Sequence, residues 1–195
     1  NSTFTASAAG ASISVNNASN AFAGTVTFAG AGGLANVTVV DTNAFDIIGL
    51  TLTGTLSVTS GGAITDSGGA INVATLTTSS AGGTTLDGAN TVASFTGTNT
   101  TGGNISLTNT AGTLTVQGVN NQFATGTVTI NNTGGIQFAG GPAVQTSNGA
   151  VNLTATTTIL HSAGGVPFDI NANGGTITLN ATTVGAFGQD VLTTL

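Results

Sequence analysis

Six aspartates and one histidine are the only side chains in this chain that titrate: Asp41, Asp46, Asp66, Asp87, Asp169, Asp190 and His161. Asp41 and Asp46 stand close enough in sequence to act as acid and base, the pairing that glycoside cleavage uses. Such sites are commonly completed by Arg or Lys, and this chain has neither. No cation is available to stabilise a developing anion. The aspartates are single rather than clustered, and each reads as a turn residue bonded to nearby backbone. His161 stands alone among apolar and turn residues, with Asp169 the nearest carboxylate after it, and reads as a surface or turn histidine. One histidine cannot form a multi-histidine metal site.

Calcium chemistry fares no better. A calcium-binding β-roll needs tandem Gly-Gly-x-Gly-x-Asp, and Asp66-Ser67-Gly68-Gly69 is the nearest approach. One carboxylate binds calcium poorly. Thr-x-Thr triplets at Thr25–Thr27, Thr51–Thr53, Thr113–Thr115, Thr127–Thr129 and Thr176–Thr178 suggest an ice-binding array, but their spacing is irregular. Any half-buried strand produces Thr-apolar-Thr by alternation. No catalytic, cofactor-binding or metal-binding residue is therefore assigned, no cofactor is expected, and the chain is not expected to be an enzyme.

Composition narrows the partners. With no Lys or Arg, neither the phosphate backbone of a nucleic acid nor an anionic lipid surface has a counterpart. The apolar stretches, such as that around Phe45–Leu50, which Asp46 interrupts, are too short for membrane insertion as a helix. There is no Cys, hence no disulfide or thiolate site. Charged residues make up 3% and hydrophobic residues 39%. The chain can therefore build a core, with hydroxyls and amides rather than charges on its surface. The opening residues do not read as the basic segment plus apolar segment of a secretion signal, as expected of a processed chain or an internal piece.

The elements that must carry these residues are short strands. Leu56-Ser57-Val58, Ile105-Ser106-Leu107, Leu114-Thr115-Val116, Val128-Thr129-Ile130, Val151-Asn152-Leu153 and Ile177-Thr178-Leu179 alternate apolar with polar, the period of a strand with one buried face. Helix formers such as Glu, Lys, Met and Arg are missing. Glycine pairs punctuate the strands at Gly61-Gly62, Gly82-Gly83, Gly102-Gly103, Gly134-Gly135, Gly164-Gly165 and Gly174-Gly175. The phrase Asn20-Ala21-Phe22-Ala23-Gly24-Thr25-Val26 recurs as Asn121-Gln122-Phe123-Ala124-Thr125-Gly126-Thr127-Val128. The first glycine pairs recur about every twenty residues, the length of one solenoid coil.

The fold class read from this is all-β: a right-handed parallel β-helix, or β-solenoid, of about 20 residues per coil. Residues 1–195 form a single solenoid domain or repeat segment, a piece of a longer chain or a complete one. Ile64, Leu86, Ile105, Leu114, Val128, Ile136 and Ile177 should point inward. Thr, Ser and Asn should form outward ladders. About ten coils at about 4.8 Å each give a rod on the order of 50 Å. A β-sandwich and an up-and-down barrel are the rival folds, with Asn148-Gly149, Asn173-Gly174 and Asp87-Gly88 as candidate hairpin turns.

Two stretches resemble the repeat region of filamentous haemagglutinin-type adhesins: Thr101-Gly-Gly-Asn-Ile-Ser-Leu-Thr-Asn-Thr-Ala-Gly-Thr-Leu-Thr-Val-Gln-Gly118 and Leu50-Thr-Leu-Thr-Gly-Thr-Leu-Ser-Val-Thr-Ser-Gly-Gly-Ala-Ile-Thr65. The resemblance extends from about Asn20 onward. It implies a large exoprotein of a Gram-negative bacterium, exported by two-partner secretion, with right-handed β-helix repeats. The Asn-Pro-Asn motifs of that family's secretion domain are missing, since Pro142 and Pro167 are not so flanked. Under this resemblance the chain is secreted or displayed at the cell surface, structural or adhesive, with a host or cell-surface receptor or glycan as partner. Glycosylation would fall on Asn-x-Ser/Thr at Asn1, Asn17, Asn36, Asn99, Asn104, Asn131, Asn152 and Asn180.

The alternative function is a carbohydrate-binding or carbohydrate-processing β-helix, against which stands the absence of Trp and Tyr. Neither terminal stretch carries a charged or helical cap. Self-association through the solenoid ends, or continuation of the same chain, is therefore expected, with Phe187, Val191, Leu192 and Leu195 exposed at the C-terminal end.

Overall fold

The computed structural model describes residues 1–140, 142–161, 169–185 and 191–192. All regular structure in them is strand, and every strand pairing is parallel. The chain is a β-solenoid of about 8 turns with roughly 22 residues per turn. At about 4.8 Å per turn the stack is roughly 38 Å long, shorter than the sequence estimate. The difference comes from the corners. A coil-to-coil bond spans 19 positions between Asn36 and Thr55, but 26 between Thr146 and Ala172.

The first five strands are β1 (Ser2–Ala6), β2 (Ala11–Val15), β3 (Val26–Gly30), β4 (Leu34–Asp41) and β5 (Phe45–Asp46). One sheet begins at β5 and continues through Ile64–Thr65, residues 84–86, Ile105–Asn109, Val128–Asn132, Val151–Ala155 and Ile177–Asn180. A second begins at β2 and runs through β4, Thr55–Ser60, Ile71–Ser80, residues 91–99 and Thr113–Asn121, then onward. The long strand Thr84–Asn99 bends from the first sheet into the second. β1 and β3 pair only with each other.

The core is a set of columns. Val37, Leu56, Leu76, Phe95, Val116 and Phe138 stack residue on residue, all essentially inaccessible. Each such side chain contributes about 1.5–3 kcal/mol through its removal from water. Ile64, Leu86, Ile105, Leu114, Val128 and Ile136 are wholly buried, as expected. Ile177 is only half-buried, packed against the core from its edge. Toward the N-terminal end, aromatics pack against the core: Phe4 stacks on Phe28 at 5.8 Å and meets Phe22 edge-on at 5.9 Å.

No hairpin forms at the three sites that favoured a sandwich. Asp87-Gly88 lies inside the long strand Thr84–Asn99. Asn148 and Asn173 take positive φ, 130° and 46°, at corners between parallel strands. Glycine is required at Gly103 on two counts: its φ is 81°, and a Cβ there would collide with the carbonyl of Gly82. Gly164-Gly165, Phe187, Asp190 and Leu195 lie outside the described residues, as do the side chains of Val191 and Leu192.

Candidate functional site

Two corners of the tube are lined with buried polar side chains. At the first, Asp41, Ser60, Ser80, Asn99, Asn121 and Thr146 occupy equivalent positions in successive coils, and all are buried. Asn99 Nδ2 donates to the carbonyls of Gly102 and Gly103 and to Asn121 Oδ1, while its own Oδ1 accepts the Gly83 N–H at 2.9 Å. At the second corner, Asn90, Asn109 and Asn132 stack. Asn109 Oδ1 accepts the Val92 N–H at 2.8 Å, and its Nδ2 donates to Asn132 Oδ1 at 3.0 Å. These side chains satisfy turn backbone that would otherwise be buried without partners.

The sequence reading placed Asn on the outer faces and in turns, and so missed these columns. The signal was phase. Asn109 falls in step with Ile105 and Leu107, and Asn132 in step with Val128 and Ile130. Burial also bears on the sequons: Asn99 is inaccessible and fully engaged, so it cannot accept a glycan, whereas Asn131 is exposed.

The aspartates are held mainly across coils rather than within single turns. Asp66 is buried, and its Oδ1 accepts the N–H of Asp87 at 3.0 Å. Its Oδ2 accepts Asn90 Nδ2 at 2.7 Å and the Gly88 N–H at 3.2 Å. A calcium ion would have to displace these donors. Asp46 lies on the outer face. Burial opposes its ionisation, but the Ser67 hydroxyl, the Thr65 hydroxyl and the Ser67 N–H outweigh it. Its carboxyl is therefore held below the ordinary aspartate value of 3.8. Asp87 lies in the long strand Thr84–Asn99.

Asp169 is wholly buried, and its Oδ2 sits 2.5 Å from His161 Nδ1, whose side chain is 29% accessible. His161 is thus not a free surface histidine, because it holds a buried carboxylate eight positions on. Asp169 Oδ1 has no hydrogen-bond partner. Among the described residues no three His, Cys, Asp or Glu side chains come together. No helix among them is long and apolar enough to cross a membrane.

Asp41, like Asp169, has one buried oxygen without a partner, but it also lines a groove. Its Oδ1 accepts the N–H groups of Phe22 at 3.2 Å and Asn43 at 3.1 Å. Its Oδ2 is buried with no partner. The other described members of that column are neutral. Leaving one buried acceptor unmet costs about 1–3 kcal/mol. Asp41 lines a groove of about 430 Å³. Phe22, Ala23, Gly24, Thr25 and Val26 line it with Asn43, Ala44, Phe45, Asp46 and Ile48. The groove lies where β3 and β5 would meet if the face were continuous. Asp41 and Asp46, the pair raised as acid and base, both border it. Asp46 is fully occupied by Thr65 and Ser67 donors.

Stacked parallel coils, apolar columns and asparagine-lined corners define a β-solenoid repeat protein. Residues 34–102 match a family described as repeats of unknown function (DUF5649). That stretch runs from the start of β4 to the Gly102-Gly103 corner, where the coils are most evenly spaced. No curated protein and no solved structure is matched.

Proposed function

We propose that this chain is a rigid structural or adhesive element of an extracellular assembly, part of a cell-surface adhesin of the filamentous haemagglutinin type or of a head-to-tail fibre, and not an enzyme. One observation carries this reading. The end strands β1 and β2 pair only with β3 and β4, so each offers an edge of unpaired backbone along the solenoid axis. Such an edge takes another coil of the same geometry, from the same polypeptide or from a second copy. The outward faces support the same reading. Thr55, Ser57 and Thr59 align with Thr75, Thr77 and Ser79, and Thr77 aligns with Thr96, giving an uncharged face rich in hydroxyls.

The test combines sedimentation velocity at rising concentration with negative-stain electron microscopy. The expected result is rods longer than the roughly 38 Å of one chain. A strictly monomeric particle at the highest concentration overturns end-to-end stacking. On the enzyme question, glycan cleavage by the purified chain that disappears on changing Asp41, Asp46, Asp66 or Asp169 to Asn overturns the structural assignment.

A further inference from the structure

We propose that the groove between β3 and β5 is a binding site for an extended, cationic peptide segment, taken up as an added strand with a Lys or Arg side chain reaching Asp41. The inference is separate from end-to-end stacking, because it concerns the gap between β3 and β5 and not the free edges of β1 and β2.

Three observations converge on it. The first is unpaired backbone. β3 pairs only with β1, and β5 only with Ile64–Thr65. Val26 of β3 and Phe45 and Asp46 of β5 all line the groove, so it lies along edges that lack a partner. Phe45 and Ile47 donate their N–H groups to Ala63 and Thr65 in the next coil. Alternate residues of a strand direct their backbone groups to opposite sides, so the N–H and C=O of Asp46 are directed toward the groove. A strand added there completes the ladder.

The second observation is charge. Asp41 is 2% exposed, its Oδ2 has no donor, and it is one of the residues that line the groove. Asp46 lies on the rim, held by Ser67 and Thr65. These 195 residues contain no Lys or Arg, so a basic side chain that meets Asp41 comes from outside them.

The third observation is shape. Phe22, Val26, Phe45 and Ile48 supply apolar walls, and Ile48 is one of the few large hydrophobic side chains left exposed, at 37%. One end is closed by two hydrogen bonds, Phe22 N–H to Asp41 Oδ1 and Asn43 Nδ2 to the Phe22 carbonyl. A strand with alternating apolar and basic side chains meets both the walls and the carboxylates.

The experiment titrates the full chain, labelled with ¹⁵N, with the blocked peptide acetyl-Thr-Val-Lys-Val-Thr-amide. Its Glu-for-Lys counterpart and a backbone N-methylated version serve as comparisons. Expected are shifts confined to residues 22–26 and 41–48, saturating near or below about 1 mM. Binding of the Glu and N-methylated peptides should be at least about tenfold weaker. Asp41→Asn should weaken the Lys peptide by about tenfold or more. Ile48→Arg, at an exposed position, places a cation in the groove and should abolish binding without unfolding the chain. Equal affinity for the Glu peptide, no shifts at about 1 mM, or full affinity in Ile48→Arg overturns the proposal. Shifts caused by calcium chloride with none by the peptide overturn it in favour of a cation site.

Discussion

Asn131 and Asn132 are chemically identical neighbours on opposite sides of one strand, which makes them an internal control for the interior polar columns. Asn132 is 3% exposed. Its Nδ2 donates to the Ala111 carbonyl at 3.0 Å and the Gly135 carbonyl at 2.7 Å, and its Oδ1 accepts Asn109 Nδ2 at 3.0 Å. Asn132→Ala removes all three bonds and leaves their partners in the dry interior. At about 1 kcal/mol net per bond, the loss is about 3 kcal/mol, with more where a partner finds no substitute. For a chain of this size that is a fall in Tm of about 6–12 °C. Asn131 is exposed. Asn131→Ala should change stability by no more than about 0.5 kcal/mol. Thermal unfolding followed by circular dichroism reads both variants. A difference between them below about 1 kcal/mol would refute the claim that the asparagine columns hold the corners.

The remaining predictions concern the core, acid stability and the buried carboxylates. Ile105→Asp puts a carboxylate at a wholly inaccessible position in a chain with no Lys or Arg, and should cost more than about 4 kcal/mol; retention of the native far-ultraviolet spectrum with unchanged Tm is the contrary result. Asp46 is held below its ordinary value by Ser67 and Thr65. Its stabilisation is therefore complete above the unfolded-state value of about 3.9 and is lost as pH falls through the lower folded value. Ser67→Ala weakens that hold, so part of the acid-limb difference between folded and unfolded chain should vanish in melts taken from about pH 2 to 6. His161→Gln removes the imidazole paired with buried Asp169, and should destabilise by about 1–3 kcal/mol, with Asp169→Asn in the same background recovering part of the loss.

Much of the fold was legible because its signals are local. Period-two strands such as Ile105-Ser106-Leu107 name their buried face directly, and the glycine pairs mark corners whose geometry excludes a Cβ, as at Gly103. The coil count was overestimated because loop length at a corner leaves no trace in the strand pattern. The site was less legible. Asp41, Asp66 and Asp169 look alike in sequence, yet their surroundings differ: an unmet oxygen beside a groove, a set of N–H donors, and a histidine. Those differences arise from partners about one coil away for Asp66 and from Phe22 in the preceding coil for Asp41, and the uneven coil lengths hide such pairings. Ile177 points inward as its alternation implied, but it is only partly buried, because depth also depends on how many coils cover a residue.

The same unevenness raises a physical question, because a stack whose coil-to-coil spacing ranges from 19 to 26 positions could slip register. A one-residue slip would move every side chain of a strand to the opposite face. Apolar columns alone penalise that slip, but weakly at strand ends, where Thr and Ser are tolerated inside: Thr84 and Thr78 are both buried. The asparagine columns add a sharper penalty. If Asn109 moved by one position, the Val92 N–H and Asn132 Oδ1 would lose their partners together, and an outward Thr would enter the corner without the paired donor and acceptor of an amide. Insertions are then absorbed at the corners beyond the amides while the columns stay in step. By this argument the polar interior contributes register more than net stability, the role best attested for buried polar groups elsewhere. It also accounts for regular packing in a chain whose repeat length is not regular.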